Sequence, residues 1–268
     1  MRLGNYLLTE SIGQGKFGQV WKGIRRKTGD AVAIKLEPVD SEIRVLKHET
    51  SILNYLYSKS CRNIPPVLFY GKSDNFTYLV IPFYDTPLSS MLREAAFYSK
   101  FLRSAVQILE HVHDLSILHR DIKPDNWMIR GNELVLIDFG MATSEASCPG
   151  PEKTHIVGTP KYASIHVHNG AEYSRRDDLI SAVYIAWGLF QGTFDIWGVV
   201  PRKSHTLPFT HRLHPTNLWL LDQKRRIPDA TPLDLRLYWE RLYSLEWIET
   251  DYAFGQENHI NTPSYSGL

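Results

Sequence analysis

The sequence predicts an α+β protein of two lobes, a small β-rich one followed by a larger helical one, with a loop-borne site between them. Three observations carry this reading. Up to about residue 80, short runs of β-branched and aromatic residues alternate with turn signals and read as strands. From about residue 100, apolar residues recur at spacings near 3.6 and read as helices. Between the two main helical patterns, residues 118 to 170 form a loop-rich stretch holding most of the distinctive polar residues. The 268 residues, 43% hydrophobic and 22% charged, are enough for one large globular domain or two small lobes.

In chain order, the expected strands are Tyr6-Leu7-Leu8-Thr9, Gln19-Val20-Trp21-Lys22, Ala31-Val32-Ala33-Ile34 and Phe76-Thr77-Tyr78-Leu79-Val80-Ile81. Thr28-Gly29-Asp30 punctuates the second and third as a hairpin turn. A helix interrupts the strands, marked by Val45, Leu46, Glu49, Ile52, Leu53 and Leu56. Phe101, Leu102, Ala105, Val106, Leu109 and Val112 mark an amphipathic helix. Leu179 to Phe190 is apolar all round, too short to span a bilayer, and reads as a helix buried on every side.

The charge balance, Lys+Arg 30 against Asp+Glu 29, gives a formal +1 and no global field directed at nucleic acid or membrane. Cys61 and Cys148 lie far apart in no ligand spacing, which predicts a reducing compartment and neither a disulfide framework nor a zinc site. The N-terminus lacks the apolar core of a secretory signal. These readings predict a soluble intracellular protein, cytoplasmic, nuclear or both.

Gly13-Gln14-Gly15-Lys16-Phe17-Gly18-Gln19-Val20, with Ile12 before it, is a glycine-rich loop between two predicted strands. Glycines let backbone N–H groups approach phosphate oxygens with no side chain in the way. A dinucleotide site needs a strand leading into a helix, whereas this loop leads into a second strand. On the next strand Lys35 is an odd cation in an apolar run, and Glu49, fourteen residues later on the helix, is placed to pair with it and hold the ammonium against phosphates.

Ile117-Leu118-His119-Arg120-Asp121-Ile122-Lys123-Pro124-Asp125-Asn126 is the most specific segment, followed seventeen residues after Asp121 by Asp138-Phe139-Gly140, which the apolar strand Leu134-Val135-Leu136-Ile137 precedes. Phosphoryl transfer needs a carboxylate to orient the attacking hydroxyl and take its proton, and oxygen ligands for Mg²⁺. Asp121 fits the first role, Asn126 and Asp138 the second, and Lys123 can neutralise charge on the transferring group. The four motifs together match the protein-kinase signature set in order and spacing.

These residues resemble protein kinases, and the casein kinase 1 family in particular. The matches are Val32-Ala33-Ile34-Lys35-Leu36-Glu37, the segment from His119 to Asn126, Ser174-Arg175-Arg176-Asp177-Asp178-Leu179, and Gly158-Thr159-Pro160-Lys161-Tyr162-Ala163-Ser164-Ile165-His166. Ser164-Ile165-His166 stands where most kinases carry Ala-Pro-Glu and that family carries Ser-Ile-Asn. The resemblance implies the bilobal protein-kinase fold, Mg²⁺ and ATP as cofactors, a monomer, and transfer to Ser or Thr of protein substrates. It implies a kinase domain over 6–260, with an N-lobe to about 81, a hinge at 82–86, a C-lobe over about 87–255 and a polar tail at 256–268.

By the same resemblance Ile81 is the gatekeeper of the adenine pocket, and the Pro82 carbonyl and Tyr84 N–H are the adenine contacts. Val20 and Ala33 roof the adenine and Met128 floors it; Asp178 anchors the catalytic loop. Arg175, with Lys161 and Lys153 as neighbours, is the implied anion site for acidic or phospho-primed substrates; Arg202 and Lys203 are weaker candidates. The departures are a short segment from Asp138 to Ser164, Val183 in place of a glycine, and an abbreviated C-terminus without a regulatory tail.

Competing readings meet specific residues. A pseudokinase scaffold has no physical need of the full set Lys35, Glu49, Asp121, Asn126 and Asp138. Lys123 and the peptide-seating segment from Gly158 to Ile165 argue against a small-molecule phosphotransferase, and Lys123 against tyrosine specificity. His119 reads as structural beneath its loop. His111 with His113, and His166 with His168, lack a third metal ligand at matching spacing. Lys224-Arg225-Arg226 reads as a solvated loop, and Trp187, Phe190, Phe194 and Trp197 as core.

Overall fold

The computed structural model describes residues 1–15, 18–92, 97–148, 156–168, 170–191 and 193–194. Lys16, Phe17, Lys153, Trp197, Arg202, Lys203, the run at 224–226 and the tail at 256–268 lie outside the described residues, as do the side chains of Trp187 and Phe190.

Strands β1 (Arg2–Leu3), β2 (Tyr6–Gly15), β3 (Gly18–Arg25), β4 (Ala31–Pro38), β5 (Phe69–Lys72) and β6 (Phe76–Pro82) form one antiparallel sheet in the order β1-β2-β3-β4-β6-β5. The predicted strands are present and longer than their apolar cores, because ladder pairing continues through polar positions such as Lys35 and Glu37. At the turn between β3 and β4, the Thr28 and Gly29 N–H groups donate to the Arg25 carbonyl. Strand alternation decides which residues face the site. Val32, Ile34 and Leu36 of β4 join Leu3, Tyr6, Leu8, Tyr78 and Val80 in one core. Ala33 belongs to the other core with Leu79, Ile81 and the helix residues Leu46 and Leu53, so Lys35 and Glu37 share its face.

Helix α1 (Val45–Ser58) buries Leu46, Glu49, Thr50, Leu53 and Leu56, a stripe at helical spacing with a carboxylate inside it. After it come the short strand β7 (Thr86–Pro87), helix α2 (Phe97–Asp114), strand β8 (Ile117–Leu118), the hairpin strands β9 (Trp127–Arg130) and β10 (Glu133–Leu136), and strand β11 (Thr143–Ser144). A three-stranded sheet runs β10-β9-β7, and β11 pairs with β8. Helix α3 (Ile165–His168) and helix α4 (Arg175–Gln191) follow, with α4 packed on α2, and single turns of 3-10 helix stand at Leu88–Met91, Pro124–Asn126 and Glu145–Ser147.

The described elements form a β-rich part followed by a mostly helical one, an α+β arrangement. Helix α4 starts earlier than its apolar run because polar residues of the Ser174 to Leu179 segment fold into it, and residues 176–186 are all buried, Val183 included. The loop-rich stretch 118–170 holds β9, β10, β11, α3 and two single turns of 3-10 helix among its described residues, and β10 falls on the apolar run from Leu134. A two-residue strand such as β11 carries too few residues for a period; pairing with a distant partner makes it. His166 and His168 fall on helix α3, where the His168 ring bonds the Pro160 carbonyl at 2.9 Å. Among the described residues no helix is long and apolar enough to cross a membrane.

Candidate active site

The cleft between the sheet and the helical lobe gathers its charges from three elements. Lys35 Nζ on β4 donates to Glu49 of α1 at 2.7 and 3.0 Å and to Asp138 Oδ1 at 2.6 Å. Glu49 is 1% exposed and also accepts the Phe139 N–H at 3.2 Å. Burial by itself would depress the Lys35 ammonium, but the two carboxylates outweigh it and hold the pKa above its ordinary value. Burial pushes the Glu49 carboxyl up against the pull of Lys35, and Lys35 holds Asp138 below its ordinary value. The contact between Lys35 and Glu49 is short enough, beside an ammonium so stabilised, for the pair to stay ionic at neutral pH.

Asp178, at the start of α4 and fully buried, anchors the loop at His119 and Arg120. Its Oδ2 accepts the His119 N–H and bonds His113 Nε2, both at 2.9 Å; its Oδ1 accepts the Arg120 N–H at 2.9 Å and the Tyr173 hydroxyl at 2.6 Å. Burial raises this carboxyl, yet the hydrogen bond and charge of His113 and its other neighbours outweigh burial and leave it lowered. Arg120 (φ 65°) and Asp138 (φ 66°) both hold the left-handed backbone that side chains disfavour. The Asp178 bond to the Arg120 N–H and the Lys35 bond to the Asp138 carboxylate oppose that cost.

His119 is structural, as its sequence context predicts. Its Nδ1 accepts the Asp121 N–H at 3.3 Å, its Nε2 faces the Ile137 carbonyl at 3.2 Å, and its ring stands edge-on to Phe139. That pattern requires a neutral ring protonated on Nε2, and burial lowers the pKa from 6.5. The unfolded chain therefore binds the proton first. The stabilising contribution is complete above the unfolded value near 6.5 and is lost as pH falls from there towards the depressed folded value. Melting temperature followed from pH 7.5 down to about 5.5 is expected to fall more steeply for wild type than for His119→Gln. Equal slopes would remove His119 from this account.

Asp121, 8% exposed, accepts Lys123 Nζ at 2.8 Å on Oδ2 and the Thr159 hydroxyl at 2.7 Å on Oδ1. Asn126 Nδ2 donates to the Asp121 carbonyl at 2.8 Å, leaving its amide oxygen as the ligand-type atom. Gly158 permits the Thr159 contact. It has φ 83°, and an added Cβ would stand 2.2 Å from the Arg120 carbonyl oxygen. Asp138 and Asn126 offer hard oxygens, a set that suits Mg²⁺, which takes one or two protein oxygens and fills its shell with phosphate and water.

The glycine-rich turn is the tip of the β2–β3 hairpin, with Gly13 opposite Val20, Gln14 opposite Gln19 and Gly15 opposite Gly18. Gly18 (φ 146°) lies so close to the Leu36 carbonyl that a Cβ would stand 1.9 Å from its oxygen. Val20 pairs with Lys35 and Ala33 with Ile81, while Met128 pairs with Pro87 of β7. Ala33, Ile81 and Tyr84 are buried, Val20 and Met128 half-buried, and Ile12 is exposed. Pro82 closes β6 opposite Val32, and the Phe83 N–H donates to the Ala31 carbonyl at 3.3 Å.

Arg175, expected to face substrate anions, holds a carboxylate of this chain. Its Nε lies 2.9 and 3.1 Å from the two Glu145 oxygens, and its Nη2 lies 2.7 Å from Oε2. Lys161 sits half-buried in the turn after Pro160. The Ser164 hydroxyl donates to buried Asp177, which also accepts the Ser174 N–H at 2.7 Å. Thr159, His113, Tyr173, Glu145 and Asp177 are site residues that sequence reasoning gave no role in catalysis or positioning. Only Thr159 and Asp177 stood in motifs already singled out. Among the described residues no cluster of three His, Cys, Asp or Glu side chains could hold a metal alone. The family model of the protein kinase domain matches residues 6–217.

Proposed function

The chain belongs to the protein kinase family, a family of phosphotransferases acting on proteins, and from that premise we propose that it is an active, ATP- and Mg²⁺-dependent kinase specific for Ser and Thr. The observation that carries this is the assembled set of charges. Lys35 meets both Glu49 and Asp138, while Asp121 is oriented from two sides by Lys123 and Thr159. A scaffold without turnover has no use for that geometry.

In this reading Lys35 binds the α- and β-phosphates, with Glu49 fixing the ammonium, and Asp138 and Asn126 hold Mg²⁺. Mg·ATP supplies the transferable γ-phosphoryl group and neutralises its charge. Asp121 accepts the substrate hydroxyl proton, and Lys123 offsets the charge that develops beside it. Val20, Ala33, Ile81 and Met128 would enclose the adenine, with the Pro82 carbonyl and the Tyr84 N–H as the groups to hold it. Purified protein with Mg²⁺ and labelled ATP is expected to phosphorylate Ser and Thr peptides but not Tyr peptides. Phosphotyrosine product, or no transfer to any protein or peptide, overturns the reading.

We place the preference for acidic or phospho-primed substrates at Arg175, with Lys161 as a neighbour. Glu145 already occupies the guanidinium, so a substrate phosphate must displace it, and the pair is only partly buried. A charge-assisted bond of this kind contributes about 1.5–3 kcal/mol. Arg175→Ala is expected to lower kcat/KM for primed peptides about tenfold or more, with little change for unprimed ones. Glu145→Gln is expected to raise the primed-to-unprimed ratio. Paired kinetics on the two peptides measure both, and a wild type indifferent to priming removes the preference.

A further inference from the structure

Helix α1 carries Glu49 to Lys35, yet it has no cap of its own. The residue before its first turn is Arg44, whose side chain makes no capping hydrogen bond, and the first turn holds no acidic residue. A helix start leaves N–H groups without intrahelical partners. Here the Val45 and Leu46 N–H groups donate to Glu37 Oε1 at 2.7 and 3.4 Å. Glu37 is 2% exposed, so this carboxylate is withdrawn from water and set against the positive end of the helix.

The location of Glu37 gives the cap a consequence beyond helix stability. It stands on β4 two residues past Lys35, so strand alternation puts both side chains on the face turned to α1. One strand grips the helix twice, at its first turn through Glu37 and one turn further on through Lys35 and Glu49. The helix also meets the stretch after Asp138, through the Phe139 N–H on Glu49 and through His48 Nε2, 2.6 Å from the Ala142 carbonyl. The connection between β4 and α1 is mostly exposed and has a single side-chain bond of its own, Ser41 to the Ile43 carbonyl.

We propose that Glu37 is a positioning residue for phosphoryl transfer. By tying the start of α1 to β4, it fixes the helix in the register that brings Glu49 to Lys35. This rests on the kinase reading for its catalytic consequence, while the positional claim stands on the fold alone.

The test uses the full chain and two readouts. Glu37→Ala is expected to lower kcat about tenfold, with peptide KM little changed, and to speed amide exchange at Phe139 by a similar factor, the size of losing a cap. Phe139 is remote from residue 37 in sequence, and its N–H is held by Glu49 of α1. Glu37→Gln keeps an acceptor oxygen and loses the charge, so it is expected to fall between wild type and Ala, and it serves if the Ala variant does not fold. Glu37→Ala/Arg44→Asp supplies a local cap. Its melting temperature is expected to recover while kcat and Phe139 exchange do not. Recovery of all three would reduce Glu37 to a helix stabiliser and overturn the proposal, as would unchanged Phe139 exchange in both single variants. If wild type transfers no phosphate, the kinase reading falls and the exchange measurement still decides whether Glu37 positions α1.

Discussion

Asp121→Asn is expected to lower kcat by about 10²–10⁴, the range for removing a positioned general base, with ATP binding largely intact. The amide is nearly isosteric and can still accept from Thr159 on one side, so the loop keeps its shape. It cannot take a proton, and it weakens the charge-assisted contact with Lys123, which lies 2.8 Å from the carboxylate. The loss should appear in kcat and kcat/KM together, because the interaction removed is made in the transition state. Single-turnover kinetics and ATP titration of the purified variant measure the two parts. Full activity in a folded variant would end the assignment of Asp121.

Lys35→Met is expected to damage stability and catalysis at once. Glu49, 1% exposed, would keep only the Phe139 N–H as partner. Breaking a buried pair by removing one member costs about 3–5 kcal/mol, because the remaining charge is uncompensated. Loss of a charge aimed at the phosphates should also lower kcat by about 10²–10³. Lys35→Met/Glu49→Gln removes the stranded charge, so most of the stability should return while kcat stays low. Urea midpoints at unchanged slope, beside kinetics on the same samples, separate the two effects. A double variant no more stable than Lys35→Met would show that Glu49 is not held as a charge.

Much of the fold was legible because local patterns announce it. The alternation along β4, the stripe from Leu46 to Leu56 and the uniformly apolar run in α4 each appear within one short window, and burial follows each of them. Of the short strands after residue 116, β10 was legible from its apolar residues Leu134, Val135 and Leu136, but β8 and β11 were not, since a two-residue strand exists only by its pairing. The reading of Arg175 also met a fact no window contains, the Glu145 carboxylate thirty residues upstream.

The amino-acid sequence by itself determined which groups could carry the chemistry. Lys35, Asp121, Lys123, Asn126 and Asp138 stand in motifs that match the protein-kinase signature set in order and spacing, and Glu49 stands on the helix between them. Tertiary structure decided how those groups are held. Asp178 collects donors from positions 113, 119, 120 and 173, Thr159 turns its hydroxyl to Asp121, and Glu37 caps a helix that begins eight residues later. The reason is physical. A catalytic motif is a local arrangement that substrate chemistry forces on neighbouring residues. A buried polar group needs only some partner of the right kind, and the fold is free to supply that partner from anywhere along the chain.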